Sequence, residues 1–114
     1  MEKVKQALAE YGKDIEVIFC SNDAMAAGAL EAIKDGGRTV GQDVYLLGID
    51  GEHHALVLIR GGEMTGTVAL DTKSFTQKVT ELADDLLRGR RVENRNIIGY
   101  TAVTQENIDE FMGK

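Results

Sequence analysis

The chain has 114 residues and a mass of 12.4 kDa, enough for one domain with a modest core. Hydrophobic residues make up 43% and charged ones 28%, a globular balance that excludes a disordered chain. The net charge of −6 argues against a nucleic-acid partner held through phosphates.

In chain order, residues 2–11 predict an amphipathic helix with Val4, Ala7, Leu8 and Tyr11 on one face, closed by Gly12-Lys13-Asp14. The run Ile15-Glu16-Val17-Ile18-Phe19-Cys20 is apolar and β-branched and reads as a core strand of a parallel sheet. Cys20 is the only cysteine, so no internal disulfide forms, and it reads as a small core residue. Asn22-Asp23 joins this strand to a helix that ends at Gly36-Gly37. Asp23 reads as the N-cap and Asn22 as a ligand contact, because in open α/β sheets ligands bind where strands end and helices begin.

The junction then repeats. Residues 44–49 form a second apolar run that ends in Asp50-Gly51, ahead of a short helix over 52–59 stopped by Gly61-Gly62. Residues 64–70 read as a third strand favoured by Thr65, Thr67 and Val68. A longer helix follows Asp71 over 73–87, with Phe75, Val79, Leu82 and Leu86 as its apolar stripe. It ends at Gly89, and Arg88, Arg90 and Arg91 there read as a solvated helix end. Residues 96–103 predict the fourth strand and 105–112 a closing helix with Ile108, Phe111 and Met112 inward.

One helix followed by four β-α units defines an α/β fold: a parallel sheet of about four strands with helices on both faces. Right-handed crossovers put the ends of successive parallel strands on one side of the sheet. Asn22, Asp50 and Asp71 each end an apolar run and precede a helix, so all three are expected at the carboxyl edge. A carboxylate accepts hydroxyl hydrogens and a carboxamide both donates and accepts, so the set suits a polyhydroxy ligand. No cofactor and no metal are expected. His53-His54 occupy adjacent helical positions about 100° apart and do not share one ion. Ser21, Thr72 and Ser74 lack a nucleophile elbow and an acid–histidine partner, and the glycine turns lack phosphate-loop spacing. An enzyme is not expected.

The ordered set Ile15-Glu16-Val17-Ile18, Asn22-Asp23-Ala24-Met25-Ala26-Ala27-Gly28-Ala29, Leu47-Gly48-Ile49-Asp50-Gly51, Gly62-Glu63-Met64, Thr65-Gly66-Thr67-Val68 and Tyr100-Thr101-Ala102-Val103 resembles the C-terminal portion of type I periplasmic sugar-binding proteins. The galactose/glucose and ribose classes are the nearest in wording, and lactose-repressor-like effector domains share the fold. The resemblance implies an incomplete lobe, with 1–71 and 100–114 belonging to the C-terminal lobe and 72–99 packing on an N-terminal lobe. It implies that Asn22 and Asp50 bind sugar hydroxyls. The family's third contact, an Asn or Gln, falls on Leu70, ahead of Asp71. Glu16 matches a carboxylate that completes a calcium site in galactose/glucose-binding proteins, but the main calcium loop has no counterpart here.

The function implied is recognition of a hexose or pentose as part of the solute-binding protein of a sugar ABC importer. Its partners would be a small-molecule sugar and a membrane permease, and its location periplasmic or that of an extracellular lipoprotein. No signal segment is expected in this chain. Two alternatives stay open: an effector-sensing piece of a lactose-repressor-like regulator, and a truncated or engineered folding fragment. The opening helix has no strand before it, and the stripe on 73–87 needs a covering surface, so a homodimer is expected.

Overall fold

The computed structural model describes residues 1–113. The chain divides into two units, one of Met1–Ala69 with the stretch from Ala102 onward, the other Leu70–Thr101.

The first unit opens with α1 (Glu2–Tyr11) and a 3-10 turn at Gly12–Asp14. It continues through β1 (Val17–Phe19), α2 (Asp23–Asp35), β2 (Tyr45–Asp50), α3 (His53–Arg60) and β3 (Gly66–Leu70), whose last residue lies across the boundary. It closes with the end of β4 (Tyr100–Thr104) and α5 (Ile108–Met112). The strands form one sheet in the order β1-β2-β3-β4. β1 and β2 pair in parallel with Phe19 opposite Leu47, and β2 and β3 in parallel with Asp50 opposite Ala69.

β4 departs from the fully parallel order expected. A Cβ on Gly66, the first residue of β3, would stand 2.8 Å from the carbonyl oxygen of Val103 and 3.4 Å from the Thr104 methyl, at the end of β4. β4 therefore ends where β3 begins and runs against it. The crossover rule governs strands joined by one helix folded back on the sheet. β4 is instead reached through the whole of the second unit.

Alternation along the strands separates two faces. Leu46 and Gly48 of β2 are buried on one, and Ile33 of α2, Ile59 of α3, Val44, Met64 and Val103 are fully buried with them in the core. α2 packs on β2, α1 on α2, and α3 on both α2 and α5. On the other face Val17, Phe19 and Tyr45 are 54%, 62% and 52% exposed, so β1 is a lightly covered edge strand.

Boundaries shift from expectation in four elements, and β3 starts at Gly66 rather than at 64. β1 covers only Val17–Phe19, although the carbonyl of Glu16 still accepts from Tyr45 N–H at 2.8 Å. β4 starts at Tyr100, leaving 96–99 outside the ladder. α5 starts at Ile108, because Asn107 first ties a turn: its Oδ1 accepts from Thr104 N–H at 2.9 Å and its Nδ2 donates to Ala102 O at 2.9 Å. Such side-chain bonds to backbone compete with helix formation.

The second unit is built on α4 (Thr72–Leu87). Its helix holds itself by local bonds: the Thr76 and Thr80 hydroxyls donate to the carbonyls of Thr72 and Thr76, and Arg88 pairs with Asp84 at 2.7 Å. No residue of α4 is buried, and Phe75, Val79 and Leu86 of the predicted stripe are 43%, 48% and 61% exposed.

Candidate functional site

At the β1–α2 junction the cap falls one residue earlier than expected. Asn22 is the N-cap of α2: its backbone is extended (φ −154°, ψ 169°) and its Oδ1 accepts from Met25 N–H at 2.8 Å. Asp23 is the first helical residue, and its carboxylate is wholly buried. A buried carboxylate needs hydrogen-bond partners, and Asp23 finds them outside its own helix. Oδ1 accepts from the Thr67 hydroxyl of β3 at 2.6 Å, and Oδ2 accepts from Glu52 N–H at the β2–α3 junction at 2.8 Å. The expectation of Asp23 as the cap is corrected here: a cap must sit outside the helical turns, and Asn22 occupies that position.

Asp50 is the last residue of β2 and is exposed. Its φ of 119° makes it the one positive-φ residue other than glycine among the described residues. Gly51 follows at φ 74°, and a Cβ there would stand 2.5 Å from Ala69 Cβ, so no side chain fits. Asn22 lies three residues past Phe19, the last residue of β1, and Asp50 ends β2, so both sit at the carboxyl ends of neighbouring parallel strands. Asn22 is half-buried there with its Oδ1 committed to the cap, and its Nδ2 is the group left to donate outward.

Asp71 directly follows β3 and opens the second unit, where it is the N-cap of α4. Its Oδ1 accepts from Ser74 N–H at 3.0 Å, and its other oxygen from the Ser74 hydroxyl. Thus Asn22 and Asp50 stand together on one edge, and Asp71 is placed as a helix cap in the other unit.

The remaining polar candidates are dispersed. His54 Nδ1 lies 3.1 Å from Glu52 Oε2, and among the described residues no group of three or more His, Cys, Asp or Glu side chains gathers around a metal-sized space. Glu16 is exposed on the edge of β1. Cys20 is buried, and burial pushes its thiol pKa up. A concavity lined by Val40, Tyr45, Met64 and Gln105 lies at the amino end of β2, away from Asn22 and Asp50. Thr67 was read only as a strand former. Period-2 alternation turns polar residues away from the packed face, so nothing local in the strand marks Thr67 as buried.

In open α/β sheets the carboxyl edge, where Asn22 and Asp50 fall, is the edge at which ligands bind. The chain belongs to the periplasmic binding protein domain family, whose model matches residues 1–91. It is 38% identical over 90 residues to the ribose import binding protein of Bacillus subtilis (strain 168), covering 79% of this chain and 28% of that protein. It is 35% identical over 108 residues to the D-galactose/methyl-galactoside binding periplasmic protein of Haemophilus influenzae, covering 87% of this chain and 31% of that one. A solved ABC transporter solute binding protein from Bacillus halodurans C-125, with bound myo-inositol, matches 98% of this chain and 38% of its own with a TM-score of 0.85 at 30% identity. The chain thus spans about a third of the length of the relatives it matches.

Proposed function

We propose that this chain contributes part of the sugar-recognition surface of a periplasmic solute-binding protein serving an ABC importer. The observation that carries the reading is that Asn22 follows β1 and Asp50 ends β2, two neighbouring parallel strands, one residue offering amide hydrogens and the other a carboxylate. Relatives named for ribose, galactose and xylitol support polyols and sugars as the ligand class. In this reading Asn22 and Asp50 grip hydroxyls, and Asp71, which follows the end of β3, is the second carboxylate of the set. The act is binding without catalysis, in the periplasm, with the membrane permease as the downstream partner. Residues 1–71 and 100–114 are the C-terminal-lobe portion, and 72–99 is the part that packs on an N-terminal lobe.

One third of a binding protein cannot enclose its ligand, and Leu70 offers no hydrogen bond where relatives are expected to place a carboxamide. Losing such a partner in a buried site costs about 1–3 kcal/mol. The isolated chain therefore binds weakly, with Kd on the order of millimolar. We also propose that it self-associates as a homodimer through the exposed stripe of α4, with a second copy as occupant.

Titration of 15N-labelled chain with D-ribose, D-galactose and D-glucose tests the reading. Expected are saturable amide shifts at residues 22–25 and 50–52 that vanish in Asp50→Ala. Shifts unaffected by Asp50→Ala, or none at saturating sugar, would overturn it.

A further inference from the structure

We infer that the buried Asp23–Thr67 pair positions Asp50, by clamping the two amides that follow it and so holding its carboxylate at the sheet edge. The bearing on ligand recognition rests on the proposed role of Asp50; the bearing on its backbone does not.

Asp23 sits in the first turn of α2, where the helix dipole favours a carboxylate. Yet both its oxygens serve segments 29 and 44 residues away in sequence. Oδ2 holds Glu52 N–H at 2.8 Å, and Oδ1 takes the Thr67 hydroxyl hydrogen at 2.6 Å. The Thr67 oxygen then accepts from Gly51 N–H at 3.4 Å. Two consecutive amides directly after Asp50 are therefore held by one buried network. Thr67 itself is only 3% exposed, so the network is shielded from competing water.

What the clamp restrains is a residue that would otherwise relax. A non-glycine side chain at φ 119° persists only where its surroundings over-determine it. The surroundings here do so from several sides: Gly51 is pressed on Ala69, Asp50 is paired with Ala69 in the sheet, and the Asp23–Thr67 network fixes the next two amides. Neither Asp23 nor Thr67 is exposed to a ligand. Their action on one passes through the backbone of Asp50.

The test is a cycle of Asp50→Gly and Thr67→Val in the whole chain without sugar. Glycine relieves the strain at position 50, less its own entropy loss, so Asp50→Gly raises the folding equilibrium constant about fivefold. In the Thr67→Val background that gain disappears, because Asp50 has already relaxed. The HN–Hα coupling of Asp50, small at this positive φ, becomes large in Thr67→Val and stays small in Thr67→Ser, which keeps the hydroxyl. An equal gain in both backgrounds, or an unchanged coupling in Thr67→Val, overturns the proposal. Should Thr67→Val fail to fold, hydrogen exchange in the unmutated chain decides: Gly51 and Glu52 amides must exchange at least tenfold more slowly than the amide of exposed Glu93, which lies outside helix and strand, and parity overturns it. If the cycle succeeds while no sugar shifts the Asp50 amide, the sugar reading fails and the positioning stands.

Discussion

Gly48 of β2 backs directly onto the buried carboxylate of Asp23: a Cβ at Gly48 would stand 2.4 Å from Asp23 Oδ1 and 2.8 Å from Met64 Cε. The missing side chain is the space the carboxylate occupies. Gly48→Ala is expected to destabilise the chain by about 1–3 kcal/mol, since the core must shift to accept one methyl. Urea unfolding followed by circular dichroism measures the loss. A midpoint equal to that of the parent chain would show the carboxylate free to move aside.

Asn22 carries two duties that one substitution separates. Asn22→Ala removes the oxygen that caps α2 and should cost about 1 kcal/mol of stability. Asn22→Asp keeps a capping oxygen but loses the amide hydrogens, so stability stays within about 0.5 kcal/mol while sugar-dependent shifts disappear. Denaturant curves and amide titrations on both variants check the separation.

Cys20 reports on burial under the sheet. Desolvation raises its thiol pKa above the ordinary value, with the amino-terminal charge opposing more weakly. The folded form therefore stays protonated at pH values where the unfolded thiol has begun to ionise. Its contribution to stability is complete below the unfolded pKa and is lost as pH rises through the folded one. Iodoacetamide should label Cys20 at least about a hundredfold more slowly in the folded chain than in urea, because reaction waits for an opening and then for the thiolate. Mass spectrometry of the time course measures both rates.

Self-association through α4 makes a direct prediction. Fully burying each large apolar side chain of the stripe is worth about 1.5–3 kcal/mol, so Phe75 and Val79 in water favour a partner. Light scattering should give a mass near twice 12.4 kDa at high micromolar concentration. Phe75→Asp with Val79→Asp should return it to 12.4 kDa, and its urea midpoint should match that of the parent chain diluted until it is monomeric, since neither side chain is buried in the single chain. A parent chain already monomeric at that concentration would rule out the dimer.

The order of helices and strands was legible because each element carries a local pattern: apolar alternation, an amphipathic period, or a glycine stop. α1 and the end of α2 fall where those patterns put them. Boundaries slipped where side chains compete for backbone partners, as at Asn107, which delays α5. The reversed direction of β4 has no local signature at all, because strand polarity depends on the path of the preceding connection.

The candidate site divides in the same way. That Asn22, Asp50 and Asp71 stand at junctions between strands and helices follows from the sequence alone, since strand ends are marked by where apolar runs stop. Which neighbour caps α2 and which is buried was decided only by tertiary structure. Asp23 acquires its partners when β1, β2 and β3 align, bringing Glu52 and Thr67 to one carboxylate across 29 and 44 residues of chain. A buried carboxylate takes the arrangement that gives each oxygen a donor, and those donors come from segments that no local window contains.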